Sequence, residues 1–141
     1  MPGVSFFVDP GFEPIRQHID RLSTQVDDMS DFFEDVGLAI TASTIRRMNQ
    51  GLRPDGQPQK PVNRGGTPLV DTGVHLRDTM TYGASRGSVE SGTNSVIGAI
   101  HQFGGKTGRN KSTKIDERPY LGLSTDDVLE IEALTLEYLD V

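Results

Sequence analysis

Near the start of the chain, Phe12, Ile15, Ile19, Leu22, Val26 and Met29 recur at steps of three and four, the spacing that lines one face of an α-helix. Arg16, Asp20, Arg21 and Asp27 fall on the opposite side. Pro14 is tolerated only in a first turn, so this amphipathic helix is predicted to start near Glu13 or Pro14. A second helix is predicted from Asp31, with Glu34 as its capping-box partner and Phe33, Val36, Ile40, Thr44 and Met48 turned inward. Gly51 should end it.

Residues 51–68 carry four Pro and four Gly, a density that neither a helix nor a central strand survives. Pro54-Asp55-Gly56 reads as a tight turn, and the stretch as an extended arm, flexible or ordered by a neighbour. Leu69, Val74 and Leu76 suit a short helical turn after Asp71-Thr72-Gly73. Residues 79–84 have the alternation and β-formers of a strand, and residues 88–93 read as its hairpin partner through Arg86-Gly87. The apolar run at 96–100 is too short for periodicity to decide its type; a short helix is favoured, stopped by the glycines of His101-Gln102-Phe103-Gly104-Gly105. Residues 104–118 read as a basic flexible loop. A last helix follows, capped by Ser124, with Asp126 and Asp127 in its first turn where the helix dipole favours negative charge. Val128, Ile131, Leu134 and Tyr138 should form its buried stripe, widened by Leu129 and Leu136. The sum is one α+β domain over residues 1–141, with N-terminal and C-terminal helices packed on a small antiparallel sheet and long Pro/Gly-rich and basic loops between them.

Charge adds a second pattern. Residues 1–45 hold eight acids and two bases, residues 46–118 twelve bases and six acids, and residues 119–141 six acids and no base. The overall charge of −6 hides a basic middle between two acidic ends, a distribution suited to docking on further copies or on another charged body. The apolar fraction of 34% is low against roughly 45–50% for globular domains, a reference that also counts Gly. A small folded nucleus with irregular segments that find their order in an assembly fits these values. There is no Cys for disulfide or thiolate chemistry, no run of about eighteen apolar residues for a membrane span, and no secretory signal pattern at the start. The expected setting is cytoplasm, or a particle built there.

Catalysis has little to work with. His18, His75 and His101 are far apart and form no ligand-spaced pair, and no nucleophile elbow, phosphate loop or dinucleotide fingerprint occurs. The reading is a non-enzyme with no metal and no cofactor. Contact chemistry is better supplied. Lys106, Arg109, Lys111, Lys114 and Arg118 place five charges in thirteen residues. Such a segment can pair with acidic helices of a neighbour, remain solvated, or track the DNA backbone without reading sequence. No stacking aromatic lies between residues 104 and 119, which weakens the nucleic-acid alternative. His101-Gln102-Phe103 is the most compact polar-aromatic cluster, and taken alone it reads as a glycine-capped helix end.

Taken in order, Gly51 with Pro54-Asp55-Gly56, Leu69 with Thr72-Gly73 and Leu76, a hairpin ending in Ser91-Gly92-Thr93, then Ile100 through Gly105 and Arg118-Pro119-Tyr120-Leu121-Gly122 before an acidic helix resemble the phage virion morphogenesis family, the tail-completion proteins of Mu-like and related tailed phages. The resemblance covers roughly residues 30–140. It departs at Gln59, near where the family often has Trp, and at Asp116-Glu117, where it often has Pro-Ala. The resemblance implies a structural virion protein at the neck, acting when tail and head are completed and joined. It implies self-assembly into a ring, a hexamer in related neck and terminator proteins, around the DNA channel, with head-side connector and tail tube proteins as partners. Pro54, Asp55, Gly56, His101, Gln102, Phe103, Arg118 and Tyr120 would then lie at subunit or partner interfaces. Lys106, Arg109, Lys111 and Lys114 would face DNA or a neighbour.

Overall fold

The computed structural model describes residues 13–71, 73 and 75–140, with the backbone alone at 13–16. Four helices and two antiparallel hairpins follow in the order α1 (Glu13–Asp27), α2 (Ser30–Gln50), β1 (Met80–Ala84), β2 (Val89–Thr93), α3 (Gly98–Phe103), β3 (Gly105–Thr107), β4 (Thr113–Ile115) and α4 (Thr125–Leu139). The α+β expectation holds. Phe12, Thr72 and the expected helical position Val74 lie outside the described residues, and a single 3₁₀ turn at Arg77–Thr79 leads into β1.

α1 begins at Glu13, as Pro14 requires, but none of its described side chains is buried; Ile19, Leu22 and Val26 are half-covered. α2 begins one residue earlier than expected and without the Asp31–Glu34 box. The Asp28 carboxylate accepts the Ser30 N–H at 3.0 Å, while Glu34 accepts the Tyr82 hydroxyl at 3.0 Å. The other end follows expectation. Gly51 adopts the left-handed conformation at φ 67°, its N–H reaches Met48 O at 3.1 Å and the Leu52 N–H reaches Arg47 O at 2.9 Å, the paired bonds that close a helix C-terminus.

α2 organises the molecule. β1 and β2 pair from Met80↔Thr93 to Ala84↔Val89 and pack on one side of it, with the Tyr82 ring lying where any side chain at Gly37 would stand. α4 packs against α2 as well. Two small apolar clusters result: Met48, Leu76, Met80 and Tyr120 near the end of α2, and buried Phe32 and Val36 nearer its start. The Phe32 ring lies 5.4 Å from that of Tyr138 on α4. The inward face of α2 differs from the expected one. Phe32, Val36, Gly37, Thr41, Ser43, Thr44, Arg47 and Met48 are buried, whereas Phe33 and Ile40 are half-covered.

Two segments expected to be irregular have order within the chain. Leu52 bridges Pro58, the Gln59 N–H donates to Gly51 O at 2.8 Å, and residues 51–61 fold back onto the same chain. The basic loop contains a hairpin in the register Gly105↔Ile115, Lys106↔Lys114, Thr107↔Thr113. On α4, Ile131, Leu134 and Tyr138 are half-covered as expected of the inward stripe, but Val128, Leu129 and Leu136 are 51%, 58% and 49% exposed.

Candidate functional site

The segment 118–122 connects the basic hairpin to α4, and most of its backbone polar groups are held by groups from elsewhere in the chain. Tyr120 is 2% exposed; its ring completes the Met48–Leu76–Met80 cluster and its hydroxyl donates to Gly98 O at 2.8 Å. Gln102 Oε1 accepts the backbone N–H of Tyr120 and of Leu121, each at 3.0 Å. Gln59 donates its side-chain amide to Pro119 O. The Arg118 N–H donates to His101 O at 2.8 Å. Its guanidinium donates from Nε to Lys60 O at 2.8 Å and from Nη2 to Pro61 O at 2.7 Å. Buried backbone groups without partners cost about 1–3 kcal/mol each, so these clamps are what lets a non-regular segment sit in the core.

Arg47 closes the hub from below. Its Nη1 donates to Asp127 Oδ2 at 2.7 Å and to Ser43 Oγ at 3.0 Å, and its Nη2 to Gly122 O at 3.0 Å. The Arg47 and Asp127 side chains are only 9% and 7% exposed. Asp127 also accepts the Ser124 N–H at 2.9 Å while Ser124 Oγ accepts the Asp127 N–H at 3.1 Å, so one carboxylate caps α4 and anchors α2. Neither Arg47 nor Gln59 stands out in the sequence as a site residue. The available signal was positional: Arg47 lies three residues after Thr44 and beside Met48, on the inward stripe.

Burial alone would raise the Asp127 pKa, but hydrogen bonds from Ser43, the Ser124 N–H and Arg47, with the Arg47 charge, outweigh it and hold the carboxyl below 3.8. A folded pKa below the unfolded one gives stability that is fully present above the unfolded value and is lost as pH falls through the folded value. We therefore expect urea midpoints of the natural chain to drop on acidification from about pH 6 to about pH 3, and Asp127→Asn, which gains no proton there, to drop by less over the same window.

The sequence-selected residues divide into four groups. His101, Gln102, Arg118 and Tyr120 converge in the hub, and Pro54 reaches it by packing beside Gly122. Asp55 and Gly56 stay on the exposed turn, where Asp55 Oδ1 accepts the Gln57 N–H at 2.9 Å. His101 Nδ1 is buried without a partner, and burial followed by the nearby Arg118 charge lowers its pKa. It lines an open cleft of about 400 Å³ with Leu69, Leu76, Ile97, Asp71 and His75. Phe103 stands apart at 75% exposed. Lys106, Arg109, Lys111 and Lys114 are all exposed on the β3–β4 hairpin. Among the described residues no cluster of His, Cys, Asp or Glu could hold a metal ion, and no helix is long and apolar enough to cross a membrane.

Fold and hub together define a small α+β protein whose central polar groups serve its own packing, leaving charged and apolar residues on the surface. The chain belongs to the phage virion morphogenesis family, whose model matches residues 11–140. It is similar to the Mu-like prophage FluMu G protein 2 of Haemophilus influenzae, 31% identical over 119 residues that cover 84% of each chain. No solved structure matches it. Its role is in phage virion morphogenesis, and it is virion-associated.

Proposed function

We propose that this protein completes the tail of a tailed phage and joins it to the head, as a neck, tail-terminator or connector component that acts by assembling into a ring around the DNA channel. Membership of the phage virion morphogenesis family carries this reading. The distribution of chemistry supports it: Arg47, Gln59, Gln102, Arg118 and Asp127 are occupied within the subunit, while the basic hairpin and much of α4 are uncovered. A head-to-tail interface between copies closes into a ring when its rotation permits, here expected to be a hexamer. The ring would work by contact and not by catalysis, between head-side connector and tail tube proteins, at the neck of a particle assembled in host cytoplasm.

Deleting the coding sequence from an inducible prophage tests the reading. The lysate should contain filled heads and tails that are not joined, with infectivity restored by the protein supplied in trans. Joined, infectious particles at the normal yield would overturn it. The rival reading, a nucleic-acid-binding module, is favoured by the four exposed bases of the hairpin. It requires a monomer at micromolar concentration that retains duplex DNA strongly at low salt and releases it as salt rises.

A further inference from the structure

α4 has two apolar faces, and the chain itself covers one. Asp127, Ile131, Leu134 and Tyr138 point toward α2, each buried or half-covered. On the opposite side Leu129, Ala133 and Leu136 follow one another at steps of four and three, all exposed, with Leu129 at 58% and Leu136 at 49%. At 3.6 residues per turn, Glu132 flanks this stripe on one side and Glu137 on the other, and α4 contains no base. A stripe of this kind, rimmed by one sign of charge, is suited to an interaction.

The β3–β4 hairpin presents the complementary chemistry. Lys106 stands directly opposite Lys114 across the ladder, an arrangement of like charges that disfavours the isolated pair of strands. Arg109 and Lys111 extend the positive charge to the tip. Phe103, the last residue of α3 and one residue short of β3, is 75% exposed. Among the described residues no hydrogen bond or ion pair joins this hairpin to α4 of the same chain.

We infer that Phe103 and the basic hairpin of one copy seat on the outer face of α4 of the next copy, the ring seating on the Leu129–Leu136 stripe and the lysines meeting Glu132 and Glu137. This rests on the assembly reading above and supplies its seam. The acidic rim relieves the Lys106–Lys114 repulsion, and the ring and stripe remove each other's apolar surface from water. Donor and acceptor patches are different surfaces of one subunit, so the contact is head-to-tail and propagates until it closes.

Sedimentation velocity of the full-length chain over a concentration series, at low and moderate salt, tests the seam. Lys106→Glu/Lys114→Glu and, separately, Glu132→Lys/Glu137→Lys should each weaken association by at least about tenfold, and combining the two in one chain should restore it to within about threefold. Phe103→Ala should weaken it by a similar factor while the far-ultraviolet circular dichroism and thermal midpoint stay unchanged. Natural protein that assembles while both charge reversals leave association unchanged, or reversals that fail to compensate each other, would overturn the seam and leave ring assembly standing. Natural protein that stays monomeric at every concentration and salt would remove both. A monomer whose hairpin reversal abolishes retention of a short DNA duplex would further assign the hairpin to nucleic acid.

Discussion

Arg47→Ala should lower folding stability by about 3–5 kcal/mol, because removing one member of a buried ion pair leaves the other charge uncompensated. The geometry supports the upper part of that range. Arg47 is bound to the Asp127 carboxylate at 2.7 Å, to Ser43 and to the carbonyl of Gly122, so its loss strands a carboxylate and a carbonyl together. Against a typical total of about 5–15 kcal/mol for a domain, the substitution removes a large share. The double change Arg47→Met with Asp127→Leu should cost markedly less than Arg47→Ala, since apolar residues of similar volume often replace a buried pair without net loss. Urea unfolding of the single and double variants decides it: additive losses in the double variant would mean that the two residues act independently.

Tyr120→Ala should cost about 3–5 kcal/mol through lost burial and the cavity left behind, whereas Tyr120→Phe should cost about 1 kcal/mol through the hydrogen bond to Gly98 O. The wide gap follows from where the side chain lies, at 2% exposure among Met48, Leu76 and Met80. The pair of variants also separates two roles for this residue. If Tyr120 served chiefly as a contact for a partner, Tyr120→Ala would leave the thermal unfolding midpoint of the subunit untouched and reduce only its assembly. A midpoint lowered by several degrees is the expected result.

The ends of the elements were legible in the sequence because single residues dictate them. Pro14 fits only a first turn, Gly51 takes a left-handed conformation that other residues avoid, and the Ser124 hydroxyl accepts an otherwise unpaired N–H, so the helices begin or stop beside them. The β1–β2 hairpin was legible for a similar reason, alternation interrupted by Arg86-Gly87. The hub was not. A hydrophobicity pattern places Arg and Gln outside, so Gln59 carries no signal in it and Arg47 only its place on the inward stripe of α2; both are buried because their donors meet specific acceptors. Nor did β3–β4 announce itself, since Lys106, Thr107, Thr113 and Lys114 have no apolar face and the strands are held by backbone pairing. Val128, Leu129 and Leu136 were expected in the core because apolar residues go there when there is room. One helix cannot turn every side toward the same partner, and these three face away from α2 or beside it.

The span between Arg47 and Asp127 has a consequence for how the molecule is made. Eighty positions separate the two halves of the buried pair, so a nascent polypeptide that has left the ribosome only through Tyr120 still holds its guanidinium in water, with the clamp over Gly122 unformed. Closure of the centre therefore waits for translation to deliver the final helix. The acidic rim of α4 emerges with that same helix, so the chain's own centre and the face proposed to receive a neighbour are completed together.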